Sequence, residues 1–129
     1  MASIGDVMSG ELVKVQPSAT VAQAATVMGG HHVGSALVMD GDDLVGIFTE
    51  RDVLRALSQD FDAPSHEVSD WMTKDPITVP PDMAIDAAME LMLSGGFRHL
   101  PVTRDGVLVG MVSMRDLARA LGDDSAPDD

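Results

Sequence analysis

Leu44-Val45-Gly46-Ile47-Phe48-Thr49-Glu50-Arg51-Asp52, followed by Val53-Leu54-Arg55-Ala56-Leu57, is the stretch on which the reading of this chain turns. It returns as Leu108-Val109-Gly110-Met111-Val112-Ser113-Met114-Arg115-Asp116, followed by Leu117-Ala118-Arg119-Ala120-Leu121. Each copy predicts a short apolar strand that runs into a hydroxyl residue and then a helix, because an apolar run closed by a cap signal is how a buried strand looks in sequence. The pattern T/S-x-x-D puts a hydroxyl at the helix N-cap and a carboxylate three residues later. Unpaired N–H groups and the positive end of the helix dipole also gather at a helix start. The residues alone therefore leave two readings open at each junction: a cap, or the floor of a site.

Shifted by 64 positions, the chain aligns with itself without a gap from Asp6–Leu57 to Asp70–Leu121. Met8/Met72, Val15/Val79, Pro17/Pro81, Ala24/Ala88, Met28/Met92 and Val38/Val102 coincide. A gap-free duplication means two copies of one supersecondary unit. We expect them to pack about a pseudo-twofold axis, each covering the other's apolar face. Within one copy, Ile4 to Met8 and Val68 to Met72 predict short lead-in turns. Val13-Lys14-Val15 and Ile77-Thr78-Val79 predict brief strands closed by prolines. Helices are expected to begin at Thr20 and Asp82, to bury Val21, Ala24, Ala25 and Met28 or Ile85, Ala88, Met89 and Met92, and to end at Gly29-Gly30 and Gly95-Gly96. Strand pairs follow, Ser35 to Met39 with Leu44 to Phe48 and His99 to Thr103 with Val107 to Val112, about turns at residues 40–43 and 104–106. Final helices run to about Leu57 and Leu121. Each copy is thus β-α-β-β-α, an α/β (α+β) fold. The expected boundaries are 1–66 for the first repeat with its lead-in and linker, 67–122 for the second, and 123–129 for an acidic disordered tail.

Composition narrows the function. A net charge of −13 over 129 residues argues against binding nucleic acid through its phosphates and against an anionic membrane surface. Three Phe and one Trp leave almost no platform for stacking bases. No apolar run approaches the length of a bilayer span, and the N-terminus lacks the basic and apolar regions of a signal peptide. No cysteine is present, hence no disulfide framework and no thiolate chemistry. A cytoplasmic location is the expectation.

The tandem β-α-β-β-α unit with its two T/S-x-x-D junctions resembles a pair of CBS domains, the Bateman module. The resemblance spans residues 5–121 and is carried by Val7-Met8-Ser9 and Trp71-Met72-Thr73, by Phe97-Arg98-His99-Leu100-Pro101-Val102, and by Gly46 to Asp52 with its partner Gly110 to Asp116. It implies a stand-alone regulatory module that binds an adenosine ligand such as AMP, ADP, ATP or S-adenosylmethionine in clefts between the repeats. It further implies that the module pairs into a homodimer. Asp52 and Asp116 would hold ribose, since a carboxylate can accept both hydrogens of a vicinal diol. Thr49 and Ser113 would donate to ligand oxygens, and Arg51 and Arg115 would attract an anionic ligand. Arg98 and His99 would meet phosphates, and the backbone around Lys14 and Thr78 would wall the adenine. Each has a plainer alternative: capping box, surface ion pair or core packing. Gly34 and Ser35 align with Arg98 and His99, so the two clefts are expected to differ.

No catalytic residues, metal ligands or resident cofactor are assigned. His31, His32, His66 and His99 lack metal-ligand spacing, and no nucleophile elbow or phosphate-binding glycine loop is present. The expectation is a non-enzymatic regulatory module that signals through a rearrangement between repeats or at the dimer contact, with an unidentified effector protein as a possible partner. The rivals are a structural dimerisation protein with vacant clefts and a detached regulatory subunit of an enzyme or transporter.

Overall fold

The computed structural model describes residues 2–122, so the expected acidic tail at 123–129 lies outside the described residues. The chain forms two compact units whose boundary does not follow the repeats. Residues 13–76 make one, and residues up to 12 join those from 77 onward to make the other.

In the unit of residues 13–76, β1 (Lys14–Val15), β2 (Ser35–Asp40), β3 (Asp43–Thr49) and β4 (Thr73–Lys74) form one sheet in that order. β1 pairs parallel with β2, and the other neighbours are antiparallel. α1 (Val21–His31) follows β1, and α2 (Glu50–Gln59) follows β3. Thr20 starts α1 with a capping box: its side chain accepts from Gln23 N–H at 3.0 Å while the Gln23 side chain takes the Thr20 N–H at 2.9 Å. The helix does not stop at Gly29-Gly30 as expected. It runs on to His31, and His32 closes it with φ of 56°. Glycine lowers helix propensity but does not end a helix. The left-handed closing position falls three residues after Gly29, on a residue type that tolerates it. Val13, Val15, Val21, Ala24, Met28, Ala36, Val38, Phe48 and Val68 make the core.

The other unit contains α3 (Ile85–Gly95), the antiparallel hairpin β5 (His99–Arg104) and β6 (Val107–Ser113), and α4 (Met114–Ala120). Ile4, Val79, Ile85, Ala88, Met92, Leu100, Val102, Val112 and Leu117 form its core. The hairpin turns on Asp105 (φ 53°) and Gly106 (φ 80°), the paired left-handed conformation that suits the twist of two strands. Two sequence expectations are corrected here. α3 starts at Ile85 with Ala84 as N-cap, not at Asp82, because Met83 N–H closes a turn on the Pro80 carbonyl at 3.2 Å. Ile77-Thr78-Val79 does not form a regular strand. Only Val79 bridges Val102, donating to Pro101 O at 3.1 Å and accepting from Thr103 N–H at 2.9 Å, while Ile77 is 46% exposed.

The lead-ins are exchanged. Ile4 and Gly5 donate to Met83 O and Pro81 O, and Ser9 trades both backbone bonds with Met111 of β6. In the same way Val68 and Ser69 donate to Ala19 O and Pro17 O, and Thr73-Lys74 pairs with Ile47-Gly46 of β3. Each exchange is secured by a glycine notch. Met72 Sδ lies where a Cβ at Gly46 would stand, and Met8 Sδ occupies the same place against Gly110. The segment that follows α2 is folded as well: Ala63 is fully buried in a short turn (Ala63–Ser65) packed against α1 and α2.

Candidate functional site

The residues expected to bind ligand fall into two sets, one in each unit. Thr49, Arg51 and Asp52 stand where β3 enters α2. Thr78, Arg98, His99, Ser113, Arg115 and Asp116 lie in the other unit, the last three where β6 enters α4.

At the first corner Thr49 is the N-cap, and its Oγ1 accepts from Asp52 N–H at 3.3 Å. Asp52 Oδ2 accepts from Thr49 N–H at 2.9 Å and from the Thr49 hydroxyl at 3.2 Å. Its other oxygen, Oδ1, meets Arg55 Nη2 at 3.4 Å. That guanidinium is itself fixed: it donates to the Trp71 carbonyl at 2.7 Å and lies 5.1 Å from the centre of the Trp71 ring. His66 stacks on Trp71 with ring centres 6.1 Å apart, and the indole N–H points to its Nδ1 at 3.3 Å. Asp52 is buried and both its carboxylate oxygens are engaged. Arg51 is exposed. The Glu50 side chain lies against Gly34, so that a Cβ there would come within 3.2 Å of its carboxyl group.

At the second corner Ser113 caps α4 in the same manner, accepting from Asp116 N–H at 3.1 Å, while Asp116 Oδ2 accepts from Ser113 N–H at 2.9 Å. Here the likeness stops. Asp116 Oδ1 takes no hydrogen bond from any described residue. Arg98, exposed, stands where the first repeat has Gly34, and uncharged Met114 stands where it has Glu50. The backbone link beneath them is shared: Met114 N–H donates to Arg98 O at 2.8 Å, as Glu50 N–H donates to Gly34 O at 3.0 Å. His99 sits directly across the hairpin from Ser113. Burial holds its pKa below the ordinary histidine value; Asp116 pulls it up, and Arg98 and Arg115 push it down. Thr78 is exposed in a non-strand segment, and no hydrogen bond among the described residues ties it to this corner. The apolar residues beside Lys14 and Thr78, Val13, Val15 and Val79, are core residues, and Ile77 is exposed.

The sequence singled out the junction residues but missed the Arg55–Trp71–His66 stack. Arg55 was legible only as an i,i+3 partner of Asp52, and nothing local places Trp71 beside it. Glu50 against Gly34 was missed too, although the glycine opposite an arginine in the alignment was a signal. Among the described residues no group of three or more His, Cys, Asp or Glu could hold a metal ion. None of the described helices is long and apolar enough to cross a membrane.

Comparison with known proteins gives the family. An uncharacterized 17.7 kDa protein of Acidianus ambivalens is 43% identical over 93% of this chain and 73% of its own length. A CBS-domain-containing protein of Agrobacterium tumefaciens has the same fold with a TM-score of 0.89, at 32% identity over 93% of this chain and 99% of that one. The CBS domain pair of protein MJ0100, in complex with 5′-methylthioadenosine and S-adenosyl-L-methionine, has a TM-score of 0.86 and 25% identity over 95% and 97% of the two chains. CBSX2 in complex with AMP has a TM-score of 0.79 and 29% identity over 94% and 96%. The profile of the CBS domain matches residues 4–59 and again 68–123, and the chain belongs to the CBS-domain family as a tandem pair.

Proposed function

We propose that this CBS pair is a non-catalytic regulatory module that binds an adenosine ligand and holds it chiefly at the corner of Ser113 and Asp116. The observation that carries this reading is the division of labour within one carboxylate. Asp116 Oδ2 completes the cap while Oδ1 is left without a partner among the described residues. That oxygen is open to solvent, since no buried side-chain oxygen or nitrogen among the described residues lacks a partner, and a ribose diol can supply donors there in place of water. Arg98 and Arg115 add the positive charge that a phosphate needs in a chain of net charge −13. Two similar CBS structures hold 5′-methylthioadenosine with S-adenosyl-L-methionine and AMP, which supports the ligand class. Thr49, Arg51, Asp52 and Thr78 take the lesser part. Asp52 is already satisfied by Arg55, and Glu50 would oppose a phosphate at Gly34.

Ligand binding regulates only if the ligand favours one arrangement of the protein over another. We assign the readout to a homodimer contact and, through it, to an effector protein. Leu54, Leu57 and Phe61 support a contact surface: they are 70%, 48% and 88% exposed and recur at helical spacing along and just beyond α2. Met8, Trp71 and Met72 of the lead-ins are partly buried, each packed on the core of its own unit, whereas Leu93 of α3 is 67% exposed and adds a second apolar position open to a partner. The test is a thermal-shift screen against AMP, ADP, ATP, S-adenosylmethionine and adenosine, with light scattering on the same samples. A shift with at least one of these ligands is expected. No shift with any of them, at concentrations up to the millimolar range, would refute the reading.

A further inference from the structure

His99 gives the second corner a property that the first cannot have. In an antiparallel pair, residues directly opposite project to the same face of the sheet. His99 therefore shares a face with Ser113, the residue that caps Asp116. The aligned position in the first repeat, Ser35, faces Thr49 in the same register and carries no ionisable group. The charged groups that act on His99 are Asp116 and Arg115 from α4 and Arg98 from the adjoining position; its β6 neighbour Ser113 is neutral.

We propose that a phosphate-bearing nucleotide bound at this corner draws a proton from solvent onto the imidazole of His99, so that affinity at this corner rises as pH falls. The inference rests on the function proposed above and deepens it. In the free protein the imidazole is half-buried, and two guanidinium groups compete with its protonation while one carboxylate favours it. A phosphate changes this balance: it pairs with Arg98 and Arg115, cancelling their repulsion, and adds negative charge of its own. No bond to the ligand forms or breaks. One proton leaves the buffer and binds a ring nitrogen of His99, whose side-chain type is the one most readily moved across neutral pH by its surroundings.

The test is calorimetry of the full chain with AMP at roughly pH 7.5, above the second phosphate pKa of about 6, in two buffers of different ionisation enthalpy. The binding enthalpy should differ between buffers by an amount that reports uptake of a fraction of a proton, up to one, per AMP. Adenosine, without a phosphate, should give no such difference. AMP affinity should rise as pH is lowered from about 8 to about 7, by at most about tenfold, the limit set by one proton. His99→Gln should bind AMP more weakly and without proton uptake. The His99 ring signals in the NMR spectrum of the unmodified protein should move toward the protonated form when AMP is added, a readout that needs no variant. A buffer-independent enthalpy for AMP, or proton uptake that persists in His99→Gln, overturns the proposal. Those results would leave the binding function intact. Absence of binding by both AMP and adenosine would remove both readings together.

Discussion

The corners at Thr49–Asp52 and Ser113–Asp116 are built from the same backbone, the same cap and the same aspartate, yet one is closed and the other open. In each, one carboxylate oxygen serves the helix start at 2.9 Å. The second oxygen makes the difference. At Asp52 it faces Arg55, held by the carbonyl and ring of Trp71. At Asp116 it receives no hydrogen bond from a described residue. A duplicated motif thus supplies the frame twice, and the partner of one carboxylate oxygen decides what the frame is free to do.

Matched substitutions test this comparison most severely. Asparagine keeps an oxygen for the cap but replaces the second carboxylate oxygen with a donor. Asp116→Asn should therefore weaken the best nucleotide by about 1.5–3 kcal/mol, roughly tenfold or more, with the ligand-free melting temperature nearly unchanged. Asp52→Asn should alter nucleotide affinity by less than about threefold. Calorimetry on both proteins decides, and equal losses would erase the distinction between the corners.

The glycine notches probe the part of the frame that both repeats share. A Cβ at Gly46 or Gly110 collides with a methionine thioether and also approaches the lead-in backbone, at Thr73 O (2.9 Å) or Ser9 O (3.0 Å). Gly46→Ala and Gly110→Ala should each destabilise by about 1–3 kcal/mol, as overpacking does, measured by urea unfolding. A neutral result at either would mean that the exchanged lead-in is not held by its notch.

Acid stability should separate the repeats by a smaller margin. Folding holds the His99 pKa below its ordinary value, so the unfolded chain binds a proton that the folded chain refuses. The stability this contributes is complete above the ordinary histidine pKa of about 6.5 and is lost as pH falls through the folded value. His99→Gln should accordingly show a shallower loss of stability between neutrality and about pH 5, followed by denaturant unfolding at each pH. An unchanged slope would show that His99 is not held neutral. Arg55→Ala should have the least effect, about 0–1 kcal/mol at a side chain that is 46% exposed. It should also raise nucleotide affinity at the first corner by freeing Asp52 Oδ1; unaltered binding would locate the block elsewhere, with Glu50 as the next candidate.

Much of the fold was legible because its signals are local. The hairpins, their turns and the capping boxes at Thr49 and Ser113 follow from apolar runs, turn residues and a hydroxyl three positions before a carboxylate. Element boundaries slipped where local signals competed. Gly29-Gly30 resembled a helix end and was not one, and Asp82 resembled a cap but sits in a proline turn. The candidate site was legible as residue types at a junction, and the difference between its two copies was half visible in Arg98 and His99 facing Gly34 and Ser35 in the alignment.

By itself the sequence determined two copies of a β-α-β-β-α unit, the caps that start their last helices, and an anionic chain in which arginine is concentrated at the repeats, because these depend on neighbours within a few residues. Tertiary structure decided the rest. It sent each lead-in to the other repeat, where a methionine fills a glycine notch, and it set Arg55 between Asp52 and a tryptophan 16 residues away. It also half-buried His99 opposite a cap. Such contacts join groups far apart in sequence, and their energies depend on distance and desolvation, quantities that come into being only when the chain is packed.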